Sequence, residues 1–263
     1  MPLLKTPAIT LKSRKWGDAD RIVTVYTLRY GKLRGVARGA RRIKSRFGSA
    51  LEPFVHCDLN LFEKPQDSMY RITQADILDS FSGLREDLTL MSGAARLVNV
   101  VAAVTGEGDR SPKVFDTLLC GLRALQESRD PSLTTLLFQI RLLGQTGFRP
   151  QTDHCVGCGA RRDNFDNGRP APFAPQSGGL LCVSCVGPHS DRCLPLSPGS
   201  LALLQHALLW TPDALSRLKA SNHMRTELEA AIEAYVTVVA GKRLPPADFL
   251  AAEPEEPVYG SRK

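Results

Sequence analysis

The chain lacks any apolar run long enough to cross a bilayer. Its longest, such as residues 97–104, are interrupted by polar residues and fall far short of the roughly 20 that a membrane helix requires. The first residues, Met1-Pro-Leu-Leu-Lys-Thr-Pro7, contain no signal-type apolar stretch followed by a small-residue cleavage site. Both absences point to a cytoplasmic protein with no membrane partner. The motifs of nucleotide and hydrolytic chemistry are missing as well. Gly241-Lys242 is followed by Arg243, and Val236 stands where a phosphate loop needs its first Gly. There is no H-E-x-x-H, no G-x-S-x-G and no Gly-rich fingerprint between a strand and a helix. No catalytic residue emerges, and the chain reads as a non-enzyme.

A more informative absence is local. Between Asp20 and Glu52 there are nine Lys or Arg and no carboxylate. The formal net charge is +7, and residues 1–80, with 15 basic and 8 acidic side chains, hold all of it. The remaining residues hold 19 of each sign. Like charges gathered in this way repel one another in the free protein, and a polyanion relieves the repulsion. The candidate phosphate ligands are Lys12, Arg14 and Lys15 at the end of the first strand, followed by Lys32, Arg34, Arg38, Arg41, Arg42, Lys44 and Arg46. The competing reading of 34–48 is a solvated loop or a flexible basic arm. Trp16, Tyr26, Tyr30 and Phe47 are candidates to stack on unpaired bases, although aromatics of a small barrel also serve as core.

The first 80 residues read as five short strands. They fall at 8–12, 21–28, 32–38, around the alternation of Val55, Cys57, Leu59 and Leu61, and at 69–73. Five strands in so short a span imply a closed barrel or a sandwich, because a flat sheet leaves long open edges. After residue 80 the apolar period becomes helical, with Leu84, Leu88, Met91, Ala95, Val98 and Ala102 on one stripe. Four further helices are announced by an N-cap residue followed by Pro, at Ser111, Asp130, Ser197 and Thr211. They cover about 112–127, 131–145, 198–210 and 212–220. A last helix, 224–240, stops at Gly241. Residues after Leu250 are expected to be a disordered tail.

Seven cysteines are present, five of them within residues 155–193. Without a secretory signal, a disulfide framework is not expected. "CVGC" (155–158) and "CVSC" (182–185) offer four thiolates, Cys155, Cys158, Cys182 and Cys185, which fill a tetrahedral shell and leave no position open. This is the pattern of a structural zinc site, one ion per chain. Cys193, His154 and His189 are nearby substitutes for a ligand. Two unrelated reduced pairs, or a redox pair, are the other readings, though no βαβ pattern surrounds either motif. The His-x-Glu with Pro-Cys-x-x-Cys signature of zinc deaminases is absent.

"WGDADRIVTVYTLRYGKLRGVARGARRIKS" followed directly by "RFGSALEPF", the "CVGC…CVSC" insert after a helical region, and "GKRLPPADFL" near the end together resemble the RecO family of bacterial recombination mediators. The resemblance runs to about residue 250, and the cysteines indicate a zinc-bearing branch. It implies an N-terminal five-stranded OB-fold barrel (1–80) and an all-α helical domain (81–250) with a zinc module inserted at 150–195, an α+β multidomain protein. It also implies binding of single- and double-stranded DNA, annealing of complementary strands, and association with the nucleoid. The implied partners are RecR and the single-stranded-DNA-binding protein, with RecA served indirectly at gaps. The alternatives are an RNA- or transcription-associated OB-fold and zinc module without annealing activity, or a zinc enzyme acting on nucleic acid.

Overall fold

The computed structural model describes residues 3–63, 69–162, 165, 169–187, 192–215 and 217–244. The expected tail beyond residue 250 lies outside them, as does His189. Strands β1 (Leu3–Trp16), β2 (Asp20–Thr27), β3 (Gly31–Ala37), β4 (His56–Phe62) and β5 (Tyr70–Asp79) close into a barrel in the order β1-β2-β3-β5-β4. β1 completes the ring by pairing with both β2 and β4, and β3 with β5 is the one parallel pairing of the barrel. This double pairing explains why β1 is much longer than the 8–12 expected: its first half faces β4, its second half faces β2, and a bulge at Thr10–Lys12 bends it between them. The expected alternation on β4 is present, with Cys57, Leu59 and Leu61 inward beside Val23, Val25, Leu33 and Ile72. Burial pushes the Cys57 thiol up to about 12, so it acts as a small core side chain.

Three helices follow: α1 (Leu88–Val104), α2 (Pro112–Gln126) and α3 (Pro131–Gln145). The insert then contributes β6 (Ala171–Ala174), β7 (Gly179–Leu180), the one-turn helix α4 (Val183–Val186) and β8 (Leu194–Leu196), with the three strands in one small sheet. Helices α5 (Pro198–Leu209), α6 (Pro212–Leu215) and α7 (Asn222–Ala240) complete the domain. Ser111, Asp130 and Ser197 act as the expected N-caps, accepting from the amides of Val114, Leu133 and Ser200. Each such cap contributes about 1 kcal/mol. The helix expected over 212–220 stops at Leu215. Arg217 N–H donates to Ala214 O and Leu218 N–H to Leu215 O, three-residue bonds in place of the four-residue bonds of an α-helix. No helix among the described residues is long and apolar enough to cross a membrane.

The barrel interior is a core of its own, and a few other barrel residues belong to the core of the helices. Ile9, Leu11, Tyr26 and Phe54 leave the barrel to pack among Phe115, Leu118 and their helical neighbours. Tyr26, fully buried, donates its hydroxyl to Asp109 O at 3.2 Å. Gly31 is required where it stands: at φ +68°, any Cβ there would lie 2.2 Å from Asp109 O.

Candidate nucleic-acid interface and metal centre

The strand register sorts the basic residues into rows on the outer face of β1, β2 and β3. Tyr26 pairs with Ile9 and with Lys32, and this row is turned against the helices. The next row is Lys12, Thr24 and Arg34, then Arg14, Ile22 and Val36, and finally Trp16 with Asp20 at the β1–β2 turn. Arg14, Lys15, Arg34 and Arg38 are exposed, and Lys12 and Lys32 are half-buried.

Residues 38–55, which join β3 to β4, form consecutive tight turns rather than a flexible arm. Amide-to-carbonyl bonds link Arg42 to Gly39, Ser45 to Arg42, Ala50 to Phe47 and Glu52 to Ser49. Phe47, Ala50, Leu51 and Val55 drop into the barrel core and anchor the segment. Its cations Arg41, Arg42, Lys44 and Arg46 remain exposed. Two acids near the patch are already used: Asp20 Oδ1 accepts from Gly39 N–H at 2.8 Å, and Glu52 pairs with Arg21 at 2.8 Å.

Not every cation of the expected set faces solvent alone. Lys32 Nζ donates to Ala102 O at 2.7 Å and to Thr105 O, carbonyls at the C-terminal end of α1. Burial pulls its pKa down, and the charge of Glu107 opposes this without overcoming it. Lys32 therefore ties barrel to helix. Arg34 is paired with Glu107. Arg41 spreads its guanidinium over the β1–β2 turn, donating from Nη1 to Gly17 O at 3.1 Å and Asp18 O at 3.0 Å. Arg46 lies over the Phe47 ring at 5.0 Å. Lys15, Arg38, Arg42 and Lys44 are exposed cations without a carboxylate partner among the described residues.

Of the aromatic candidates, Tyr26 and Phe47 are core side chains, at 0% and 3% exposure, and cannot stack on a ligand. Tyr30 is half-buried against the barrel core. Trp16 is exposed.

The second cluster lies far along the chain. The sulfurs of Cys155, Cys158, Cys182 and Cys185 all fall within 4.8 Å of one another, and those of Cys158 and Cys182 are 3.7 Å apart. A tetrahedral ion with metal–sulfur bonds of about 2.3 Å sets its sulfurs about 3.8 Å apart, so the donor set fits such an ion. The first knuckle is shaped by Gly157, where a Cβ would press on Cys185 Cβ and Sγ at 3.2 Å, and by Gly159 at φ +73°. Amides aim at the sulfur of Cys155, from Gly157 at 3.4 Å and Cys182 at 3.2 Å. Burial raises the Cys155 thiol, but these N–H donors outweigh it and bring it down to about 6. Cys193 packs beside the cluster without joining it, and exposed His154 is outside it too. The module is fastened to the helical domain by Phe173, Leu180 and Leu196, with Phe173 edge-on to Tyr235 at 5.9 Å. It can hold a metal ion, and with four protein ligands it leaves no coordination position for a substrate.

Two family models cover nearly the whole chain: "Recombination protein O N terminal" over residues 1–81 and "Recombination protein O C terminal" over residues 85–246. Curated relatives named DNA repair protein RecO include that of Symbiobacterium thermophilum, 34% identical over 95% of this chain and 97% of its own length. That of Thermoanaerobacter sp. is 33% identical over 90% of this chain and 92% of its own. The Bacillus subtilis protein is 29% identical over 94% of each. A barrel that is basic on its β1–β3 face and capping loop, packed through Ile9, Leu11, Tyr26 and Phe54 on helices bearing a four-cysteine module, is thus the form taken by a member of a family of DNA repair proteins, and the chain belongs to the RecO family.

Proposed function

We propose that the chain acts in DNA repair and recombination by binding single- and double-stranded DNA on the outer face of β1–β3 and the loop 38–47, and by annealing complementary strands there. The observation that carries this reading is the ordered loop, anchored by Phe47, Ala50, Leu51 and Val55 in the barrel core while Arg42 and Lys44 stay exposed beside Arg38. A fixed set of cations neutralises the phosphates of two strands, so the strands meet without full repulsion. Lys12, Arg14, Lys15, Arg38, Arg42, Lys44 and Arg46 serve as phosphate ligands. Lys32, Arg34 and Arg41 act chiefly by holding this surface in place. Zinc is the ion proposed for Cys155, Cys158, Cys182 and Cys185, one per chain, with a structural role. By resemblance to its family, the protein works with RecR and the single-stranded-DNA-binding protein and assists RecA loading at gaps.

The test is a strand-annealing assay on the full chain with Arg38, Arg42 and Lys44 replaced by Glu. Annealing at least about tenfold slower, with an unchanged fold, is expected from reversing three phosphate contacts. Unchanged annealing detaches the surface from the activity. Matched RNA competing as well as DNA favours an RNA-associated module instead.

A further inference from the structure

The basic surface carries two large apolar side chains with no core to join. Ile43 is 105% exposed, against 46% for Ile77 and 0–1% for Ile9, Ile72, Ile140 and Ile232. Trp16 is 51% exposed at the end of β1. Isolated exposed apolar residues are common and need no explanation. What distinguishes this pair is its setting. Ile43 stands between Arg42 and Lys44, and Trp16 follows Arg14 and Lys15. The two segments are also bound together. Arg41 N–H donates to Ala19 O at 2.9 Å, its guanidinium holds Gly17 O and Asp18 O, and Gly39 N–H reaches Asp20 Oδ1. Arg41, two residues before Ile43, thereby holds this part of the loop against the turn that follows Trp16.

Phosphate-binding cations alone cannot tell a naked backbone from one that carries bases. A flat indole and an aliphatic side chain among them can, because every unpaired base offers an apolar face that a duplex conceals. Aliphatic side chains also insert between bases as wedges. On the basis of the DNA-binding reading above, we infer that Trp16 and Ile43 form a base-contacting pair within the cationic surface, Trp16 stacking on an unpaired base and Ile43 wedging against the next. The pair gives the surface a preference for unpaired nucleobases beyond its attraction for phosphate.

The experiment compares the full chain's affinity for an oligothymidylate and for an abasic strand of equal length and charge, at one salt concentration. The wild-type protein is expected to bind the base-bearing strand about tenfold more tightly or better. Trp16→Ala and Ile43→Ala should each weaken oligothymidylate binding about fivefold, leaving abasic binding and the salt dependence unchanged. Both side chains are exposed, so neither variant is expected to lose the fold. The chain has two Trp, at 16 and 210, and a Trp210→Phe variant therefore reports on Trp16 alone. Its fluorescence should be quenched by oligothymidylate and not by the abasic strand. Equal affinity for the two strands, or full affinity in both alanine variants, overturns the inference and leaves the phosphate-binding surface standing. If neither strand binds, the DNA-binding reading falls and the base-contacting pair falls with it.

Discussion

In the cysteine module four ligand atoms converge within 4.8 Å, whereas on the barrel the cations are spread across three strands and a capping loop. The first arrangement is intolerant, since a tetrahedral shell with one ligand missing is no longer closed. The second is tolerant, because each exposed cation adds a modest, salt-screened contribution that its neighbours partly replace. The barrel also mixes two kinds of basic residue that composition alone does not separate. Arg42 and Lys44 face solvent, while Lys32 is spent on the end of α1. A concentrated site fails all at once; a distributed one is graded.

The sharpest way to break this contrast is Cys158→Ser. Metal content should fall from about one ion per chain to near zero, because the apparent affinity of such sites depends on the complete ligand set. Loss of a structural metal is among the changes costing about 4 kcal/mol or more. For a chain of this size the midpoint of thermal unfolding should drop by roughly 8–16 °C. Affinity for single-stranded DNA, which the proposed function assigns to the barrel, should change less than about twofold. Metal analysis, calorimetry and oligonucleotide titration check these together.

Lys32→Met comes next. It deprives two carbonyls at the end of α1 of their donor, a loss of about 2 kcal/mol, or roughly 4–8 °C in midpoint. The salt dependence of DNA binding should stay as in the wild type. A shallower dependence with unchanged stability would mean that Lys32 contacts phosphate after all. Arg42→Ala should do the reverse. At 0.1 M salt it weakens single-strand binding about fivefold, the contribution of one phosphate contact, with no detectable change in midpoint.

The smallest effect concerns acid. His56 sits at the seam between barrel and helices, edge-on to Phe115 at 5.9 Å, with both ring nitrogens buried and unpaired. Burial lowers its pKa below 6.5, Arg123 reinforces this, and the opposing pull of Asp79 and Asp58 does not overcome it. As pH falls below 6.5 the unfolded chain takes up this proton first, so stability declines until the folded pKa is passed. Denaturant unfolding at pH 7 and pH 5 should show this loss in the wild type and a reduced one in His56→Phe.

Much of this was legible in the sequence, in proportion to how local the cause was. The cysteine spacing announces a ligand shell because each C-x-x-C is one turn of chain and the two turns need only meet. Ser111, Asp130 and Ser197 announce helices because a cap acts within three residues. The patch was legible as a composition, but the division of labour within it was not. The carbonyls that hold Lys32 lie 70 and 73 residues away, and those that hold Arg41 are backbone atoms with no signature of their own. Phe47 reads equally well as a base-stacking ring or a core ring until the turns of 38–55 direct it inward. The sheet of β6, β7 and β8 has no signature in the sequence because its strands are two to four residues long, and β6 and β8 carry Pro172 and Pro195. The Thr211-Pro212 start of α6 is visible in the sequence, while its end at Leu215 is marked by no Gly or Pro.

The most direct test of the cationic barrel surface is the slope of log affinity against log salt for a single-stranded oligonucleotide, measured on the wild type and on a protein with Arg38, Arg42 and Lys44 all replaced by Ala. About six phosphate contacts give the wild type a slope of roughly −4, and removing three should bring it to about −2 with thermal stability unchanged. Equal slopes in the two proteins, or a wild-type slope near zero, would contradict it.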